Sequence, residues 1–277
     1  MSEQLSRRSV LMGASGLLMA SAEGALPEFR EGLTPGTVDI GTPEANLSGF
    51  IRMMASLEEV DVPWWYNGTV YSVIGEEQNP TPLFNFEGME LYLVTHLDDG
   101  TFELTGNTVT FFRDLEGDWL RDFKNPITGK TNKAGDAIQG GGPGRGFNLS
   151  VNGVRPTKLL DRIPDQELKK WWSVAAGWVW MNNDTVYPPG LPPPRAQGQS
   201  MFVPVEDFNN PSLERLPSVF SSTVTMPWPE WMEMGDQPGH LLWHAAGAKL
   251  NSIAELPAEY RKRAEAEYPE RLTVNRG

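Results

Sequence analysis

The chain has 277 residues, 39% hydrophobic and 21% charged, with a formal net charge of −13 and no cysteine. This balance excludes a disordered chain, a collagen-like repeat and a polytopic membrane protein, while ten Trp, six Tyr and twelve Phe suffice for a hydrophobic core. The acidic excess leaves no basic stripe for a polyanion, so nucleic acid is not an expected partner, and zero Cys excludes disulfides, thiolate nucleophiles and Cys-held metals.

The first residues carry an export signature. Ser6-Arg7-Arg8-Ser9-Val10-Leu11 resembles the twin-arginine signal, an apolar stretch runs from Val10 to Ala22, and Ala20-Ser21-Ala22 supplies a small-residue cleavage pattern. The stretch falls short of the roughly twenty residues that span a bilayer, so no stable membrane span is expected. Residues 1–22 read as a signal peptide handled by the twin-arginine translocase, giving a periplasmic or secreted protein that starts near Glu23. Cleavage removes Glu3, Arg7 and Arg8 and takes the formal charge from −13 to −14. Residues 23–46, rich in Pro, Gly, Thr and Glu, read as an extended lead-in, and 47–277 as a single β-rich domain.

Within that domain Gly68–Gly75 alternates as a strand. Met89–Leu97 alternates too, with Met89, Leu91, Leu93 and Leu97 on one face and Glu90, Tyr92, Val94 and His96 on the other. Asp98-Asp99-Gly100 is a hairpin turn signal before the return strand at Thr101. Thr108–Phe123 reads as a second hairpin with Glu116-Gly117-Asp118 at its tip, closed by a tight turn at Asn125-Pro126-Ile127-Thr128-Gly129. Residues 129–146, including Gly140-Gly141-Gly142-Pro143-Gly144, read as a long loop. Pro164 opens a short helix, Val174–Met181 is a strand apolar on both faces, and Pro188–Pro194 is an extended loop. Val219–Met226 and His240–Gly247 are further strands. A closing helix follows a Ser252-x-x-Glu255 capping box, with a solvated charge run from Arg261. About nine to eleven short strands and two or three peripheral helices predict a mainly β (α+β) fold, an antiparallel β-barrel or half-barrel.

Two stretches carry a resemblance. The first has Phe112, Asp114, Gly117, Leu120 and Phe123, then Asn125-Pro126-Ile127-Thr128-Gly129; the second has Trp228, Trp231, Met232, Met234, Gly235, Asp236, Pro238 and Gly239. Both resemble a bacterial and fungal family catalogued as domain of unknown function 1838, and the order of elements fits over 47–270. The family continues after the Asn-Pro-x-Thr-Gly turn with a β-type segment containing His, where this chain has Lys130-Thr131-Asn132-Lys133. No role of that His carries over.

No G-x-S-x-G elbow, dinucleotide fingerprint or P-loop is present, and no organic cofactor is predicted. His240 and His244 are two of only three histidines, and their i, i+4 spacing suits either a proton-transferring pair or, if a metal is bound, two of its ligands. Asp114 with Arg113 and Arg121 on the second hairpin completes a candidate acid–base group at a cavity mouth. Trp64, Trp65, Tyr66, Trp178 and Trp180 supply aromatic walls that favour an apolar or aromatic small molecule. The leading expectation is an exported, cofactor-free isomerase, lyase or hydrolase; a binding or carrier protein and a metal-dependent enzyme remain alternatives. On the export reading, replacing Arg7 and Arg8 with Lys leaves unprocessed protein in the cytoplasm; processed periplasmic protein in that variant overturns it.

Overall fold

The computed structural model describes residues 38–75, 79–141, 146–157, 172–186 and 196–274. The signal peptide, the Pro164 helix, the 142–145 part of the glycine loop and the Pro188–Pro194 loop lie outside these residues.

The first element is helix α1 (Pro43–Met54). Thr42 caps it by accepting from the Ala45 N–H, Pro43 fills the first turn and Glu44 faces the positive end of the dipole. The helix therefore starts inside the stretch read as lead-in. Leu47, Phe50, Ile51 and Met53 bury its inner face. Its last carbonyls are met by side chains from the sheet. Trp64 Nε1 donates to Met54 O at 2.8 Å, and Lys249 Nζ donates to Arg52 O at 2.8 Å and Ala55 O at 3.0 Å. Burial, with Arg215 and Arg52 nearby, pushes the Lys249 ammonium well below its ordinary pKa.

Ten strands form the path of one antiparallel sheet. In chain order they are β1 (Val62–Val73), β2 (Thr81–His96), β3 (Phe102–Arg113), β7 (Phe147–Ser150), β8 (Gly153–Pro156), β9 (Trp172–Ala175), β10 (Trp178–Val186), β11 (Ala196–Pro204), β12 (Val219–Met226) and β13 (His240–Lys249). Their spatial order is β8-β7-β3-β2-β1-β13-β12-β11-β10-β9, with β6 (Ala137–Gly141) also on β3, while β4 (Asp122–Lys124) and β5 (Thr131–Lys133) make a separate ribbon. The fold is mainly β, with three α-helices among the described residues, as the patterning predicts. Closure into a barrel does not occur: β8 and β9 end the sheet without pairing to each other. The stretch read as a long loop instead carries β5 and β6.

The open sheet is nevertheless strongly curled. Glu90 of β2 and Gln199 of β11 line one recess although four strand intervals separate them, about 19 Å on a flat sheet. One core cluster likewise joins Leu149 and Val154 near one end of the sheet to Val179 and Met181 near the other. α1 packs into this concave side. On the convex side, helix α3 (Ala258–Glu267) lays Tyr260 and Ala264 over Met89, Leu91, Val109 and Phe111. The short helix α2 (Val205–Phe208) follows β11. The Ser252–Glu255 capping signal belongs to a 3-10 turn at Ile253–Glu255, and α3 begins only after Pro257.

The two family-like segments meet at Asn125, which is fully buried. Its Oδ1 accepts from Ile127 N at 2.9 Å and Thr128 N at 3.3 Å, while its Nδ2 donates to Met232 O at 3.2 Å. One amide thus fixes its own turn and the 3-10 turn Glu230–Met232. Asn125→Ala leaves Met232 O short of a donor and should cost about 1–3 kcal/mol. Thermal unfolding checks this; an unchanged melting temperature overturns the framework role.

Candidate functional site

On the concave side every second residue faces inward. Register places Glu90, Trp64 and Lys249 side by side on β2, β1 and β13, and Tyr66 opposite Gly88. Tyr92 is opposite Gly106 on β3. These two glycines decide where the rings go. A Cβ on Gly88 would collide with the Tyr66 phenol ring, and one on Gly106 would stand 2.9 Å from a Tyr92 ring carbon. Both rings therefore lie down over a cross-strand position without a side chain. The Tyr66 hydroxyl reaches Thr110 Oγ1 at 2.7 Å, and the Tyr92 hydroxyl donates to Glu90 Oε2 at 2.6 Å.

The result is a narrow recess lined by Met54, Trp64, Glu90, Tyr92, Gln199 and Phe220, closed too tightly in this side-chain arrangement to hold a water molecule. Trp64 and Phe220 meet edge to face at 5.4 Å, as do Tyr66 and Phe220 at 6.4 Å. In such surroundings desolvation raises the Glu90 carboxyl above the ordinary carboxylate range, with the Tyr92 hydrogen bond opposing it in part. Burial also raises the phenols of Tyr92 and Tyr66 well above their ordinary value, and Glu90 adds to both. Farther along the same face, Trp243 packs on Phe86 at 4.8 Å and its buried Nε1–H has no hydrogen-bond partner.

A larger cavity of about 230 Å³ lies between α1 and α2. Its guanidinium, Arg52, spends its N–H groups on the carbonyls of Leu213, Phe208 and Asn210, so it fastens loop to helix. The Glu90 recess is the better candidate because a carboxyl and the Tyr92 hydroxyl meet there on aromatic walls.

Of the residues singled out from sequence, Trp64 lines this recess, whereas the catalytic and metal candidates lie elsewhere and are not brought together. His240 and His244 share a strand face, but four residues along a strand is about 13 Å, too far for one metal ion or one proton transfer. Register puts them on the convex face with Thr69 and Tyr71, opposite Leu241 and Ala245 of the core. His244 is exposed with Nδ1 3.4 Å from Thr223 Oγ1. Among the described residues no group of three or more His, Asp or Glu could hold a metal.

Asp114 caps the hairpin tip: its Oδ1 accepts from the N–H groups of Glu116, Gly117 and Asp118 at 2.8–3.0 Å. Arg113 points to the convex side, where it donates to Glu87 Oε1 at 2.7 Å and lies 3.6 Å from the Trp119 ring centre. Arg121 is exposed. Sequence reasoning missed Glu90 and Tyr92 as site residues; the available signal was the mid-strand glycines that make room for rings.

The raised Glu90 has a signed consequence. Its folded-state pKa exceeds the unfolded one, so its contribution to stability is complete in acid, below the ordinary Glu range, and is lost as pH rises through the folded value. Glu90→Gln should therefore melt higher than the parent at about pH 8, with the gap closing towards about pH 4. Equal or lower stability of the variant at the higher pH contradicts the assignment.

The sequence profile of a family described as "Protein of unknown function (DUF1838)" matches residues 59–134 and 181–274. No curated protein matches the chain. Glu90, Tyr92, Tyr66, Gln199 and Phe220 all fall within the matched segments, which cover more than half of the sequence. The chain belongs to the DUF1838 family of proteins of unknown function.

Proposed function

We propose that this is an exported protein that binds an apolar or aromatic small molecule on the concave side of its sheet, with Glu90 as the acid–base group. The carrying observation is the 2.6 Å hydrogen bond from Tyr92 to Glu90 inside an aromatic recess. A carboxyl whose pKa is raised by desolvation can give a proton to a ligand atom and take it back, which isomerisation, elimination and hydrolysis all require. Tyr92 orients the carboxyl and leaves Oε1 for the ligand. The aromatic walls exclude water and supply stacking area. Such chemistry needs no organic cofactor. The recess is too narrow for a ring in its present side-chain arrangement, so entry requires Met54 and Gln199 to swing aside; both are unbranched and pay little strain to do so.

The test has two arms. Small molecules that co-purify with the mature protein are identified, and the same is done for Gln199→Trp, which fills the recess. A ring compound present with the parent and lost in Gln199→Trp supports the site; its retention in the blocked variant overturns it. Glu90→Gln should then keep binding and lower turnover by about 10²–10⁴-fold. Unchanged turnover removes Glu90 from the chemistry, and a bound ligand with no turnover in the parent establishes a carrier.

A further inference from the structure

The convex face of the sheet divides in two. Over β1–β3 it is covered by α3, but no outward residue of β10–β12 belongs to either hydrophobic cluster of the described residues. There Trp178 is 37% exposed, and Thr223, His244, Ala246 and Asn67 are exposed as well. Strand register sorts the outward side chains into lanes that run across the strands. One lane is Asn182, Ser200, Ser221, Ala246 and Asn67, each the direct partner of the next. A second lane, two residues on, holds Asp184, Thr223, His244 and Thr69. On the opposite flank Trp180 is paired with Phe202, their rings stacked at 4.8 Å, and Trp178 meets Phe202 at 5.9 Å.

The first lane spans five strands, roughly 19 Å. Four of its five residues are hydroxyls or amides with donor and acceptor capacity, Ala246 being the exception, and the lane is set beside an aromatic rim. Ser200 Oγ already donates to Asn182 Oδ1 at 2.7 Å, which fixes that amide and turns its NH₂ away from the bond. No Lys or Arg stands in either lane, so nothing there neutralises a phosphate or a uronate. A first lane without charge, rich in hydroxyls and amides beside indole rings and flanked only by the acidic Asp184, fits a ligand that is itself uncharged, hydroxyl-rich and apolar on its ring faces. We propose that this half of the convex face binds a neutral oligosaccharide, lying across the strands with a sugar ring against Trp180 and Trp178 and its hydroxyls on Asn182, Ser200 and Ser221.

The proposal is independent of the Glu90 recess, which opens on the other side of the sheet. It is tested with the mature protein and soluble hexaoses, neutral (cellohexaose, xylohexaose, mannohexaose, N-acetylchitohexaose) and acidic (hexagalacturonate), by calorimetry and tryptophan fluorescence. At least one neutral hexaose should bind saturably, and Trp180→Ala and Asn182→Ala should each weaken it at least tenfold with the melting curve unchanged. If Trp180→Ala fails to fold, Ser221→Glu, a surface change that puts a charge in the lane, serves in its place. No binding to any neutral hexaose at millimolar concentration, preference for the uronate, or binding untouched by the lane substitutions overturns the proposal.

Discussion

Two tyrosine rings lying flat over two glycines shape the concave side of this protein. If Gly88 or Gly106 carried a side chain, Tyr66 and Tyr92 would have to stand up from the sheet, and the concavity would fill with their own atoms. Laid down, the rings become part of the wall, and their hydroxyls point along it towards Thr110 and Glu90. The cost is local, because glycine in a strand interior forgoes packing and adds backbone entropy to the unfolded chain. The rest of the architecture makes that cost bearable. Long β1, β2 and β3 pair over most of their length, so two positions without side chains do not loosen them.

The polar side chains of the convex side serve a different end. Trp119 lies between two guanidiniums, Arg113 at 3.6 Å and Arg263 at 4.8 Å from its ring centre. Arg113 pairs with Glu87 and Glu259, and Arg263 with Asp136 and Glu267. Tyr268 donates to the same Asp136 at 3.1 Å. These contacts tie α3 and the chain after it to β3 and to the segment before β6. The charge run from Arg261 is therefore not uniformly solvated: Arg263 lies flat on Phe111 at 4.0 Å while Arg261 and Lys262 stay at the rim.

These particulars mark how far the sequence reaches. Turns were legible because Asp98-Asp99-Gly100 and Glu116-Gly117-Asp118 are local signals with local geometry, although beyond the second turn only Trp119 bridges back to Arg113 and the outgoing segment pairs with β5 instead. The face assignment of Met89–His96 was legible too, since period 2 needs only neighbours. Closure was not, because alternation says which face is buried and nothing about whether β8 meets β9. The histidine pair shows a rule applied outside its element. Spacing of i and i+4 brings side chains together on a helix, whereas His240 and His244 sit on a strand. Glu90 was hidden for the opposite reason. With Tyr92, Val94 and His96 it looks like the wet face of a half-buried strand, yet β2 is covered on both sides, by α3 on one and by the curl of the sheet on the other.

Several buried polar groups elsewhere in the described residues hold two parts of the chain together. Asn125 joins two turns, Lys249 caps α1 from β13, Tyr260 pins α3 to Val109 O at 2.7 Å, and Asn107 holds Thr273 O at 2.6 Å. Each offsets its desolvation with a bond that the fold uses. Glu90 does nothing of the kind. Its bond runs to Tyr92, two residues along the same strand, and connects no second element. An apolar residue of similar volume would pack against Trp64 and Phe220 without the desolvation penalty that raises its pKa. A group that weakens the fold where it stands and fastens nothing fits the role proposed for it at a ligand, and this physical asymmetry separates Glu90 from every charge in the Arg113–Arg263 network.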